Sequence, residues 1–170
     1  WVMRLLNGVI NLLRSVPFLI LMIIVIPLSR AIVGTSIGTV ASIVPLVIAS
    51  FPFVSRLVET SMREVDAGVI EAAQSMGATP LQIITKVMVP ESMPSLIANV
   101  TIAATTIMGY GAMAGIIGGG GLGKIAINYG YYRFNVVLEF FATALLVVLV
   151  QILQTVGTKL AIKCDKRIQK

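Results

Sequence analysis

The chain has 170 residues, of which 57% are hydrophobic and only 12% charged; a globular domain averages about 45–50% apolar and about 25% charged. With a mean hydropathy of +0.97, it could not cover a soluble surface with polar groups, and it reads as a polytopic membrane protein. No His and one Cys, Cys164, exclude a Cys/His metal site, a disulfide framework and His-based catalysis, and the net charge of +6 has no basic face to offer nucleic acid.

The chain opens on Trp1, and its first segment has no signal-peptide pattern. Four stretches are then apolar enough to cross a bilayer, which takes roughly 20 residues. The first covers 16–34, with Pro17 near its start and Pro27 inside it. The second covers 37–54 and contains Pro45 and Pro52. The third covers 96–117 and is rich in small residues, and the fourth, 136–156, is the most uniformly apolar. Internal prolines predict kinked helices buried against neighbours that satisfy the freed carbonyls.

Lys and Arg concentrate on the cytoplasmic side of membrane proteins. Placing the segment 56–94 and the C-terminal tail inside puts ten basic residues there: Arg4, Arg14, Arg56, Arg63, Lys86, Lys159, Lys163, Lys166, Arg167 and Lys170. Only Arg30, Lys124 and Arg133 then lie outside. The C-terminus is therefore expected to be cytoplasmic.

The segment 56–94 carries five of the seven acidic residues, Glu59, Glu64, Asp66, Glu71 and Glu91. Val65, Val69, Ala72, Ala73 and Met76 recur at helical spacing on one face. Asp66 is placed to cap that helix and Gly77 to stop it. Thr79-Pro80-Leu81-Gln82 then restarts one, with Thr at the cap, Pro at the first position and Gln closing a capping box. Pro90 and Pro94 are expected to end it. Two short helices meeting at a sharp corner result.

Glu71-Ala72-Ala73, three residues, Gly77, nine residues and Val87-Met88-Val89-Pro90 resemble the EAA loop of ABC importer permeases, with Val87 and Val89 as conservative departures. The physical logic agrees: Ala72 and Ala73 permit close approach of a partner, and Gly77 turns the chain at positive φ. The resemblance implies that Glu71, Ala72, Ala73, Gly77 and Pro90 couple the permease to a cytoplasmic ATPase. Arg14-Ser15-Val16-Pro17-Phe18, Val33 to Gly38, Met76 to Pro80, Gly119 to Gly123 and Tyr129-Gly130-Tyr131 look like the methionine-importer permeases in particular. That resemblance implies five spans, so a first span is expected in a missing N-terminus. It further implies a homodimer of permeases in the bacterial inner membrane, two ATPase copies, and a methionine-binding lipoprotein outside.

Gly118 to Gly123 fits GxGxxG literally, but it follows a membrane helix rather than a strand, and Ile125 stands where a Walker loop needs Ser or Thr. A flexible or tightly packed turn is the expectation, with no nucleotide or other cofactor on this chain. In the third span, Met108, Tyr110 and Met113 offer polarizable surface for a thioether and are the expected pathway residues, although small residues and Thr there also suit plain helix packing. Glu139 lies near the start of the fourth span, where solvation or pairing is expected rather than a proton path.

The expected fold is all-α: one polytopic helix bundle, similar to a type I ABC importer permease, with a cytoplasmic two-helix coupling elbow. The chain is expected to make and break no covalent bond. An ion-coupled secondary transporter is the first rival, and it predicts internal repeats and midplane ionisable residues, which are not found. A membrane scaffold without a pathway is the second; small-residue interfaces alone would permit it.

Overall fold

The computed structural model describes residues 1–165; Lys166, Arg167 and Lys170 of the basic tail lie outside the described residues. Among the described residues the chain is helical and has no strand. Its α-helices are α1 (Val2–Ser15), α2 (Phe18–Val33), α3 (Thr39–Arg63), α4 (Ala67–Ser75), α5 (Pro80–Gln82), α6 (Val89–Glu91), α7 (Met93–Met113), α8 (Gly121–Lys124) and α9 (Val136–Cys164). A π-helical run, Ile83–Met88, joins α5 to α6, and another, Ile125–Tyr131, follows α8; a 3-10 turn, Ala114–Ile117, ends α7.

Three helices among the described residues are long and apolar enough to cross a membrane alone: Thr39–Arg63, Met93–Ile117 and Val136–Cys164. α2 has 16 residues, about 24 Å of helix against a hydrocarbon core of about 30 Å. It reaches span length only together with α1, to which it is bent by 111°. The bend follows from Pro17: Val16 before it is extended, with φ −82° and ψ 124°, as the proline ring requires.

α3 runs past the expected end at residue 54 as far as Arg63. Its last turns are laced by Glu59, whose carboxylate takes Arg56 at 2.6 Å and Arg63 at 2.7 Å, the spacings at which opposite charges support a helix. Pro45 and Pro52 of α3 are fully buried, as expected of prolines inside a packed span, whereas Pro27 of α2 is exposed. α9 continues to Cys164 without a proline, opened by Asn135, whose side chain accepts the Leu138 amide at 3.2 Å.

The chain divides into two compact units. The first comprises Trp1–Phe53 and Ala104–Ile152. Its core gathers Phe18, Met22 and Ala114, with Leu46, Ala49, Tyr110 and Ile117 against them. The Phe18 and Tyr110 rings stack with centroids 4.4 Å apart. Here the glycine-rich turn is tightly packed: a Cβ on Gly115 would come within 2.7 Å of the Gly123 backbone, and one on Gly123 would collide with the Ala112 carbonyl. Gly115 and Gly123 serve close backbone contact.

The second unit comprises Val54–Ala103 and Leu153–Lys170. Its helices α3 and α7 are tied by Asn99, whose side-chain amide donates to Ser61 Oγ at 2.7 Å and to the Leu57 carbonyl at 3.3 Å. Ser95 Oγ also donates to Ser61 Oγ, and Ser61 is fully buried. α9 joins through Gly157, where any Cβ would overlap the Thr101 side chain. Close helix approach at a small residue opposite Thr is how membrane helices associate.

The outer surfaces of the spans are apolar. On α9, Phe140, Phe141, Val147 and Val148 are all exposed, while Ala142, Gly157 and Ala161 are buried. An apolar exterior with small residues turned inward suits lipid as the solvent.

Candidate coupling site

The elbow between α3 and α7 is built from local signals. The Asp66 carboxylate accepts the Gly68 amide at 2.7 Å and caps α4. At the other end Gly77 sits at φ +78°, with its amide donating to the Gln74 carbonyl at 2.9 Å and the Ala78 amide donating to the Ala73 carbonyl at 3.1 Å. Those paired bonds form a Schellman closure. The chain then restarts through a complete capping box: Thr79 Oγ1 accepts the Gln82 amide, and Gln82 Oε1 accepts the Thr79 amide. The corner is thus held by hydrogen bonds within a few residues on either side.

The continuation differs from expectation. Pro90 and Pro94 do not end the second helix: the backbone widens into the π-helical run ahead of Pro90, continues through α6, breaks only at Ser92, and resumes as α7 with Pro94 in its first turn. A π-register spares the bond that Pro90 cannot donate, and a first-turn proline needs no donor. Ser92 is buried, and its hydroxyl meets Met62 Sδ at 3.5 Å and the Val89 carbonyl at 3.3 Å.

Of the expected coupling residues, Glu71, Ala72, Gly77 and Pro90 are exposed, whereas Ala73 is 5% exposed. α4 packs on the π-helical run, and Val65, Ala73 and Ile83 form the buried interior of the elbow. The expected stripe therefore holds at Val65 and Ala73 but not at Val69, Ala72 and Met76. Met76 escapes because α4 stops at Ser75, leaving it outside the helical periodicity. It is 82% exposed, and Leu81 across the corner 71%. Sequence reasoning missed this pair as surface; its signal was a Met and a Leu flanking a Gly-Ala-Thr-Pro turn, where polar residues normally stand. Beside the elbow lies an open groove of about 340 Å³ lined by Glu64, Glu91 and Asp165 among others.

The residues expected along the pathway lie in the first unit. Tyr110 stacks on Phe18 and lines a concavity of about 220 Å³ with Arg14, Leu21, Ala49 and Phe53. Met113 ends α7 and is 43% exposed. At about 100° per residue, Tyr110 and Met113 share a side of α7, and Met108 lies on the opposite one. The helix thus brings two of the three together.

A family model described as the binding-protein-dependent transport system inner membrane component matches residues 1–160. The chain belongs to this family. As an inner membrane component it is 52% identical over 164 residues to the probable D-methionine transport system permease protein MetI of Vibrio cholerae, covering 96% of this chain and 73% of that protein. It is 48% identical over 160 residues to the methionine import system permease protein MetP of Bacillus subtilis, covering 94% of this chain and 72% of that one. Its fold matches a chain of the MetNI methionine ABC transporter in an inward-facing conformation with a TM-score of 0.93 at 43% identity, over 97% of this chain and 76% of that chain. The fold is that of a type I ABC importer permease, and the chain is a multi-pass inner membrane protein.

Proposed function

We propose that this permease carries methionine inward by alternating access, as a homodimer served by two copies of a cytoplasmic ATPase and by a methionine-binding lipoprotein outside. Its 170 residues act as one transmembrane permease domain, with the segment 56–94 and the C-terminus on the cytoplasmic side. Glu71, Ala72, Gly77 and Pro90 form the docking face, with Met76 and Leu81 as apolar anchors; Ala73 supports that face from within. ATP hydrolysis belongs to the partner, and its motion enters through the elbow into α3 and α7. Met108, Tyr110 and Met113 contribute to the substrate pathway, Tyr110 and Met113 on one side of the helix.

The observation that carries this reading is the corner itself. An exposed Ala and Gly beside Met76 and Leu81, held rigid by a capped helix end and a complete capping box, make a preformed knob for a complementary groove. Gly77→Phe adds bulk at a position with open space around it, so the permease should still insert and dimerise. ATP-driven methionine uptake in proteoliposomes with the ATPase should drop at least about tenfold, as should ATPase co-purification; normal uptake would remove the coupling assignment. Sidedness has its own probe in the exposed Cys164, the only cysteine. A membrane-impermeant maleimide should label it only after the cells are permeabilised.

A further inference from the structure

One amphipathic surface serves neither the core nor the elbow. At about 100° per residue, Leu5, Leu6, Val9 and Leu12 fall on one half of α1, and Arg4, Asn7, Asn11 and Arg14 on the other. The apolar half is open: Leu5 and Leu12 are each 67% exposed and Val9 57%. The helix meets α2 at 111°. Where α2 stands across a bilayer, α1 therefore runs along its surface. A continued crossing would draw two arginines and two asparagines through hydrocarbon. Residues 1–58 carry basic side chains and no acidic one.

We propose that α1 is an interfacial anchor, with Leu5, Leu6, Val9 and Leu12 set into the acyl boundary and Arg4 and Arg14 on anionic headgroups of the same leaflet. A helix with one apolar half and a cationic polar half binds membranes in this way. Lipid suits this face better than a protein partner, because α2, to which it is joined, also exposes large apolar side chains at Ile20, Ile23 and Ile24. The anchor rests on α2 crossing the membrane, and its leaflet is the cytoplasmic one under the sidedness proposed above. It holds the entry to α2 at the interface, so α2 can be short.

Trp1 is the only tryptophan and is 98% exposed beside α1, which makes it a native depth probe. The 170-residue chain is reconstituted into phosphatidylcholine–phosphatidylglycerol vesicles whose lipids are brominated either near the headgroup or near the chain end. Quenching of Trp1 should be stronger from the headgroup-proximal bromines. Arg4→Gln with Arg14→Gln, or omission of phosphatidylglycerol, should lower the quenched fraction at least about twofold. No quenching from either lipid would mean a protein covers the face and would overturn the anchor. Stronger quenching from the chain-end bromines would overturn it in favour of a broken span, and indifference to both charge changes would overturn the anionic contact. None of these readings depends on uptake, so failure of the anchor and failure of the coupling assignment are told apart.

Discussion

Gly77 stands at φ +78° with nothing within 4 Å of the place a Cβ would take, so a side chain there is opposed by its backbone and not by its surroundings. The left-handed conformation costs an L-residue about 1–2 kcal/mol, which Asn relieves in part. Gly77→Asn should therefore retain more ATPase binding than Gly77→Ala, and both more than Gly77→Phe; pull-down with the partner ATPase measures the order. Asn99 works differently, because its amide meets two acceptors on α3. Asn99→Leu leaves Ser61 its bond to the Leu57 carbonyl at 3.1 Å, so the loss should be modest, about 0.6–1.7 kcal/mol as for interhelical hydrogen bonds in membranes. A double-mutant cycle with Ser61→Ala, read by thermal unfolding in detergent, should show that coupling, and simple additivity would show that the bond contributes nothing.

Capping decides where the helices of the elbow start and stop. Thr79→Ala removes one half of the reciprocal capping box and should destabilise the local turn by about 1 kcal/mol, seen as faster amide hydrogen exchange at Gln82 and Ile83 with the spans unaffected. Helix contacts in the spans depend on missing side chains instead. Gly123→Ala would press a methyl into the Ala112 backbone and Gly157→Leu would press a larger side chain into Thr101. Overpacking of this kind costs about 1–3 kcal/mol, so both should lower the unfolding temperature in detergent, Gly157→Leu more. The capping signals of Asp66, Gly77 and Thr79 were legible in advance, whereas the continuation of α3 to Arg63 was not. Its signal was present in the spacing of Arg56, Glu59 and Arg63, but hydropathy, which does not register paired charges, bounds the apolar span at residue 54. The helix passes through Pro52, which is fully buried, without ending.

At the level of the assembled permease, the elbow joins the two helices that Asn99 clasps, α3 and α7, so a push on α4 is expected to move both ends together. Severing the clasp while leaving the knob intact should then separate two activities. Asn99→Leu should keep the ATPase bound and hydrolysing, yet lower methionine uptake per ATP in proteoliposomes by roughly twofold or more; an unchanged ratio would show that the clasp only stabilises.

Local chemistry was enough to establish the membrane class and the elbow with its caps. Those features depend on side chains and backbone groups within about one or two helical turns of each other, and hydropathy needs no partner to be read. Contacts between distant residues settled the rest. Ala73 turned inward while Glu71 and Ala72 stayed outside; Tyr110 found Phe18; Asn99 found Ser61, 38 positions away; and α1 left the line of α2. Each depends on which faces meet after the helices pack, and in a chain apolar on nearly every face, periodicity cannot separate the side that meets lipid from the side that meets protein.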